Sequence, residues 1–184
     1  MGYKTVLIAS TGLIGSQFLE CLKEEDGIDV NAITRRSITG LDHKVFIKQS
    51  IYDFKNNEKI RSKLYTDILI CTFGTTIKNA GSQDEFVRVD HDIPFNLSKI
   101  AQEEGCKTMI LISSVGADSN SKYFNTRMKG KLEDDIREIG FETYHIIRTS
   151  LLLCDRNEFR PGEYLFKLNM GSLAFMIPWQ YKHI

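Results

Sequence analysis

Val6–Leu19 reads VLIASTGLIGSQFL: an apolar run breaks at Ala9-Ser10-Thr11-Gly12, turns through Leu13-Ile14-Gly15 and restarts with helical spacing. This pattern is a strand, a glycine turn and a helix. Such a turn aims unpaired backbone N–H groups and the positive end of the helix dipole at one point, which suits the pyrophosphate of a dinucleotide. Ala9, Ser10, Thr11, Gly12, Leu13, Ile14 and Gly15 are therefore the candidate cradle. Gly12 and Gly15 fall where two glycines of G-x-G-x-x-G would stand, but Ser10 occupies the first place, or Ala9 in a G-x-x-G-x-x-G spacing. The competing reading is a tight strand-to-helix connection in which glycine serves packing and no ligand is involved.

With 184 residues and 42% hydrophobic content, the chain has the length of one domain with a single core. Lys+Arg and Asp+Glu number 24 each, so no global field draws it to nucleic acid or to an anionic membrane. No apolar run is long enough to span a bilayer, and Met-Gly-Tyr-Lys leads straight into the first strand, so a cytoplasmic protein is expected. Cys21, Cys71, Cys106 and Cys154 are far apart and form no C-x-x-C pair. They read as buried free thiols, with neither disulfides nor zinc expected. Asp90-His91-Asp92 reads as a solvated helix face, since adjacent helical residues point in different directions.

Apolar runs recur at residues 4–9, 28–33, 44–47, 67–73, 107–112 and 144–148, and segments with helical periodicity separate most of them. The alternation predicts an α/β fold: a Rossmann-like, doubly wound parallel sheet with helices on both faces, in a single domain over residues 1–184. The expected helices are Ile14–Glu25, Asn56–Lys63, Gln83–Glu104 and Thr126–Ile139. Gly27, Gly105 and Gly140 are placed to end helices in the left-handed conformation. Ligands should gather at the carboxyl ends of the strands, near the switch in strand order.

The second strand ends in Arg35-Arg36, and Arg35 lies twenty residues after Gly15. An NAD-preferring site offers an acid there for the ribose 2′-hydroxyl, whereas a guanidinium matches a 2′-phosphate through bidentate bonds. NADP(H) is thus expected over NAD(H), the alternative being a solvated arginine pair. The fourth strand runs through Cys71-Thr72 into Phe73-Gly74-Thr75, where a small residue lets backbone approach the cofactor. The fifth ends in Ser113-Ser114, either of which could hold a substrate carbonyl, or serve only as a cap or turn former.

The set ASTGLIG, Arg35-Arg36, FGTT, ISS and a downstream lysine resembles the short-chain dehydrogenase/reductase superfamily, in its atypical branch. More narrowly, GTTIKNAGSQDEFVRVDHD, CKTMILISSVGAD and LLLCDRNEFRPGEYL look like the NADPH-binding Tat-interactive-protein group of oxidoreductases. The resemblance implies a Ser and a Tyr that hold and protonate a carbonyl, with a Lys four residues after the Tyr on the nicotinamide ribose. Lys129 matches that lysine, but Asn125 stands at the tyrosine position. Four residues advance roughly 400° around an α-helix, so 125 and 129 share one face. Tyr123 is the alternative acid only if the helix begins after it. An amide has no accessible pKa for general acid catalysis, although Asn125 could orient a carbonyl or a water.

Arg148-Thr149-Ser150 occupies the place where the family commonly has Arg-Pro-Gly beside the nicotinamide. Arg156, Glu158, Arg160 and Glu163 could bind substrate or pair with one another. Phe175, Met176, Ile177 and Trp179 would leave an apolar tail for a second subunit or a protein partner. It also resembles the approach to a further strand and helix beyond residue 184. Two functions are expected to compete: an NADP(H)-dependent oxidoreductase acting on a small carbonyl or alcohol, and a catalytically weak NADP(H)-binding module that engages a protein partner.

Overall fold

The computed structural model describes residues 2–38, 46–54 and 57–150, all but Ser150 within a compact unit spanning Met1–Thr149. The expectations for Cys154, Arg156, Glu158, Arg160, Glu163 and the 175–179 tail lie outside the described residues, as do those for residues 44 and 45. Six strands, β1 (Tyr3–Ile8), β2 (Ile28–Thr34), β3 (Ile47–Ile51), β4 (Ile68–Cys71), β5 (Thr108–Ser114) and β6 (Thr143–Thr149), form one sheet in the order β3-β2-β1-β4-β5-β6. Every pairing is parallel, and the order reverses between β1 and β4. A doubly wound sheet places its ligand crevice at that reversal.

The central strands are apolar on both sides because both sides are covered. On one face Leu7, Val30, Ala32 and Ile70 pack against Leu19, Phe18 and Leu22 of α1 (Leu13–Glu24). On the other, Val6, Ile8, Ile33 and Leu69 meet Leu97, Ile100 and Ala101 of α5 (Ile93–Glu103) and Leu132 and Ile136 of α6 (Phe124–Glu138). Gly27, Gly105 and Gly140 take φ of 78°, 93° and 87°, the left-handed ends expected from the sequence.

Three boundaries differ from the sequence expectation. The third strand is Ile47–Ile51, IKQSI, where an apolar run pointed to 44–47; β3 is an edge strand, and Lys48 and Gln49 are tolerated because it is only partly covered. The expected helix Asn56–Lys63 is a short α2 (Asn57–Ile60) closed by a 3-10 turn, Arg61–Lys63. Before the expected helix 83–104 stands an unforeseen one, α3 (Ile77–Ala80), capped by the Thr76 hydroxyl. The long helix itself is α4 (Gln83–Val87), a π-helical segment Arg88–Asp92 and α5 in succession. Inserting a wider turn rotates the residues within it, which is how Asp90 reaches the interior.

Candidate functional site

The glycine turn follows β1 directly. Ala9 adopts φ 63°, a left-handed conformation that an L-residue enters at a cost of about 1–2 kcal/mol, at one of the places where the sequence lacks the expected first glycine. Its carbonyl accepts from Gly12 N at 2.9 Å, which folds the turn back on itself. Gly12 then caps α1 without any side-chain capping bond. Gly15 must be glycine: a Cβ there would collide with the Ala9 carbonyl and come within 2.7 Å of Thr72 Oγ1 and 2.8 Å of Ser10 Cα. Thr72 ties the ends of β1 and β4 together, donating to Ile8 O at 2.8 Å and Ala9 O at 3.2 Å.

This arrangement fits a dinucleotide pyrophosphate. The first-turn amides of α1 have no side-chain partner, and the Ser10 hydroxyl is buried with no hydrogen-bond partner among the described residues. A buried hydroxyl left without a partner costs about 1–3 kcal/mol, which a bound oxygen would recover. Thr11 and Gly12 are exposed at the turn, Leu13 and Ile14 half-buried, and Gly74 faces open space where its Cβ would be. Arg35 and Arg36 are exposed at the end of β2.

Cys71 and Thr72 contribute differently from the expectation. The Cys71 thiol lies in the core, where burial pushes it up to about 11, so only its backbone can face a ligand. Cys106 is likewise buried, while Cys21 is exposed, against the expectation of buried thiols. Phe73 packs edge-on against Phe54 with ring centroids 5.3 Å apart. The Thr75 amide is already committed, donating to Asp90 Oδ1 at 2.7 Å.

Asp90 is one of two buried carboxylates that sequence reasoning missed, Glu133 being the other. Expected on a solvated face, the Asp90 side chain is 1% exposed and forms an ion pair with Lys129 at 3.1 Å. Lys129 also donates to the Phe73 carbonyl at 3.1 Å. One buried carboxylate thus fixes both the β4–α3 loop and the lysine. His91 is also no free surface residue, its ring nitrogens lying 2.9 Å from Asp92 and 2.8 Å from Asp135 of α6. The available signal was the Val-Asp-His-Asp run, but a π-turn cannot be read from a pattern that assumes 3.6 residues per turn.

Ser113 and Ser114 separate sharply. Ser113 donates at 2.6 Å to Glu133, a fully buried carboxylate of α6. Glu133 also accepts from Arg148, 2.6 Å away through Nη2, and from Arg137 at 3.3 Å. Burial alone would push this carboxyl up, but Arg148, Ser113 and Arg137 together hold it below the usual carboxylate range. Ser113 is thereby a structural hydroxyl. Ser114 is half-buried and makes no side-chain hydrogen bond among the described residues. Arg148 and Thr149 belong to β6, in register with Ser113 and Ser114; Thr149 donates to Ser113 O at 3.0 Å. Ser150 follows the strand and is exposed.

The helix carrying Lys129 begins at Phe124, so Tyr123 precedes it in extended conformation, 79% exposed. The lead-in is ordered by its own bonds: Arg127 donates to Ser121 O at 2.8 Å, and Asp118 N donates to Thr126 O at 3.2 Å. Gly130 permits this, since a Cβ there would strike Asp118 and Ser119. Asn125, one turn before Lys129, is exposed. Among the described residues no cluster could hold a metal ion, and no helix is long and apolar enough to cross a membrane.

No family model matches the chain. It is 34% identical over 158 residues to the mitochondrial protein FMP52 of Candida albicans, covering 84% of this chain and 69% of that protein. It is 34% identical over 171 residues to HTATIP2 of Rattus norvegicus, covering 91% and 70%. Among solved structures, Bordetella bronchiseptica WbmH in complex with NAD+ superposes with a TM-score of 0.72 at 15% identity, over 93% of this chain and 64% of that one. Pen from Bacillus thuringiensis gives 0.73 at 18%, over 92% and 56%. The chain spans less than two thirds of either solved chain, and at these identities the likeness is one of fold. The expectation of a cytoplasmic protein is corrected by the FMP52 relatives of Candida albicans, Meyerozyma guilliermondii and Emericella nidulans, which are mitochondrial proteins. Sharing a third of its residues with both proteins across most of its length, the chain belongs to the HTATIP2 and FMP52 family of atypical short-chain dehydrogenases/reductases.

Proposed function

We propose that the protein binds NADP(H) and acts as an oxidoreductase on a small carbonyl or alcohol. The observation that carries this reading is the turn at Ala9–Gly15, with uncapped amides, a buried hydroxyl lacking a partner and a glycine that admits no side chain. Solved proteins of the same fold, WbmH and WbmG, are complexes with NAD+ and NAD, which supports a nicotinamide dinucleotide as the cofactor class. The phosphorylated form is favoured by Arg35, where a guanidinium can take a 2′-phosphate. When bound, the cofactor supplies or accepts hydride at the nicotinamide ring.

Around it, the amides of Thr11 and of Leu13 to Gly15 hold the pyrophosphate, and Gly74 allows close backbone approach. Lys129, steadied by Asp90 and the Phe73 carbonyl, offers its remaining N–H to the ribose. Ser114 holds the substrate oxygen. The proton comes from Tyr123, whose position ahead of α6 leaves its phenol free to turn, or from a water oriented by Asn125.

A second reading is a dinucleotide-binding module with little or no turnover, ordering a surface for a protein partner. It is favoured by Asn125 and by the neutralisation of Lys129 by Asp90, which removes the free cation that would lower a phenol's pKa. The Asn125→Tyr variant discriminates. Assayed with NADPH and a panel of aldehydes, ketones and quinones, wild type should turn over at least one substrate. A wild type that binds NADPH yet stays silent, while the variant gains activity, would establish the module instead.

A further inference from the structure

The end of the sheet opposite the glycine turn contains a cavity of about 680 Å³, formed where β1, β2 and β3 begin and where the chain enters β4. Its size is that of a small-ligand site. Three lysines line it, Lys4, Lys48 and Lys63, against one carboxylate, Asp29. The strand register places Lys4, Asp29 and Lys48 on a single sheet face, the one that Lys63 overlies. None of the three ammonium groups has an ion-pair partner among the described residues. Lys63 donates to the Ser50 hydroxyl at 3.2 Å, and Lys4 sits 4.7 Å over the Tyr65 ring. Neutral partners hold Lys63 and Lys4 in place without cancelling their charge. Lys23, Arg61, Arg88, Lys107 and Arg137, by contrast, are each paired with a carboxylate. Two aromatic side chains, Phe46 and Tyr65, line the same cavity and are 57% and 63% exposed, an arrangement that costs apolar surface unless something stacks there.

We propose that this cavity binds a nucleoside phosphate, at a site separate from the glycine turn. The lysines take the phosphate oxygens, and Phe46 and Tyr65 stack the base. The hydroxyls of Ser50 and Ser62 face the ribose. The assignment does not depend on dinucleotide binding at the other end of the strands.

Calorimetric titration of the full chain with ADP, adenosine and inorganic phosphate tests it. ADP should bind, with adenosine and phosphate each weaker, and its affinity should persist in the Arg35→Gln variant and in the presence of saturating NADPH. Lys48→Gln combined with Lys63→Gln should weaken ADP at least about tenfold, the scale of a lost charge-assisted hydrogen bond, with NADPH affinity and melting temperature unchanged. Phe46→Ser, which leaves the three lysines and the Lys4–Tyr65 contact in place, should weaken adenosine and leave phosphate alone. ADP that is fully displaced by NADPH, or that binds the lysine variant as it binds wild type, overturns the proposal. A failure of NADPH to bind would leave the ADP result readable and would bear only on the glycine turn.

Discussion

Ala9 and Gly15 sit six residues apart and respond to substitution in opposite ways. Ala9 holds a positive φ that glycine enters freely, so Ala9→Gly relieves about 1–2 kcal/mol of backbone strain and gives back about 0.5–1 kcal/mol in chain entropy. The expected result is a melting temperature unchanged or slightly raised. Gly15→Ala forces a methyl against the Ala9 carbonyl, the Ser10 backbone and Thr72, and should cost about 2 kcal/mol or more and abolish nucleotide binding. Thermal unfolding of the two variants, with and without NADPH, checks both. At this scale the sequence was informative wherever one residue type admits one geometry, as at Gly15, and silent wherever a partner comes from elsewhere in the chain. Nothing in the Ser113-Ser114 pair says which hydroxyl is taken, because Glu133 lies twenty residues on and reaches Ser113 only after α6 has docked.

Helix α6 carries this coupling. Its apolar stripe, Met128, Leu132 and Ile136, repeats at helical spacing and is buried. Glu133 beside that stripe was not legible as buried, since a charge next to core positions reads as solvent-facing until Arg148 arrives from β6. Because its carboxyl is held below the ordinary glutamate value in the folded protein, Glu133 contributes stability that is present above that ordinary value, about 4.3. The contribution is lost as pH falls through the lowered folded value. Unfolding free energy should therefore decline on acidification below about pH 4.5. Glu133→Gln should be less stable at neutral pH and show a flatter acid limb. Urea titrations from pH 3 to 7 measure this, and parallel curves for the two proteins would contradict the role given to Glu133. The π-helical segment is the complementary case: its helical nature was legible, but the extra residue per turn that buries Asp90 was not.

For the molecule as a whole, the doubly wound parallel sheet followed from the alternation of apolar runs, because strands separated by helical segments pair in parallel with the helices on both faces. Edge strand β3 was misplaced for the same reason that it tolerates Lys48: partial exposure weakens the apolar signal. The cavity lined by Lys4, Lys48 and Lys63 gathers residues from four separate segments and had no local signature. Net charge, balanced over the chain, concealed that local concentration of cations.

Isothermal titration of NADPH and NADH into wild type and the Arg35→Gln variant bears most directly on the glycine turn and its neighbouring guanidinium. NADPH should bind wild type about ten- to a hundredfold more tightly than NADH, the range expected of charge-assisted bonds to a phosphate, and Arg35→Gln should erase the difference while leaving NADH affinity unaltered. Equal affinities in wild type, or no binding of either nucleotide, would contradict the account.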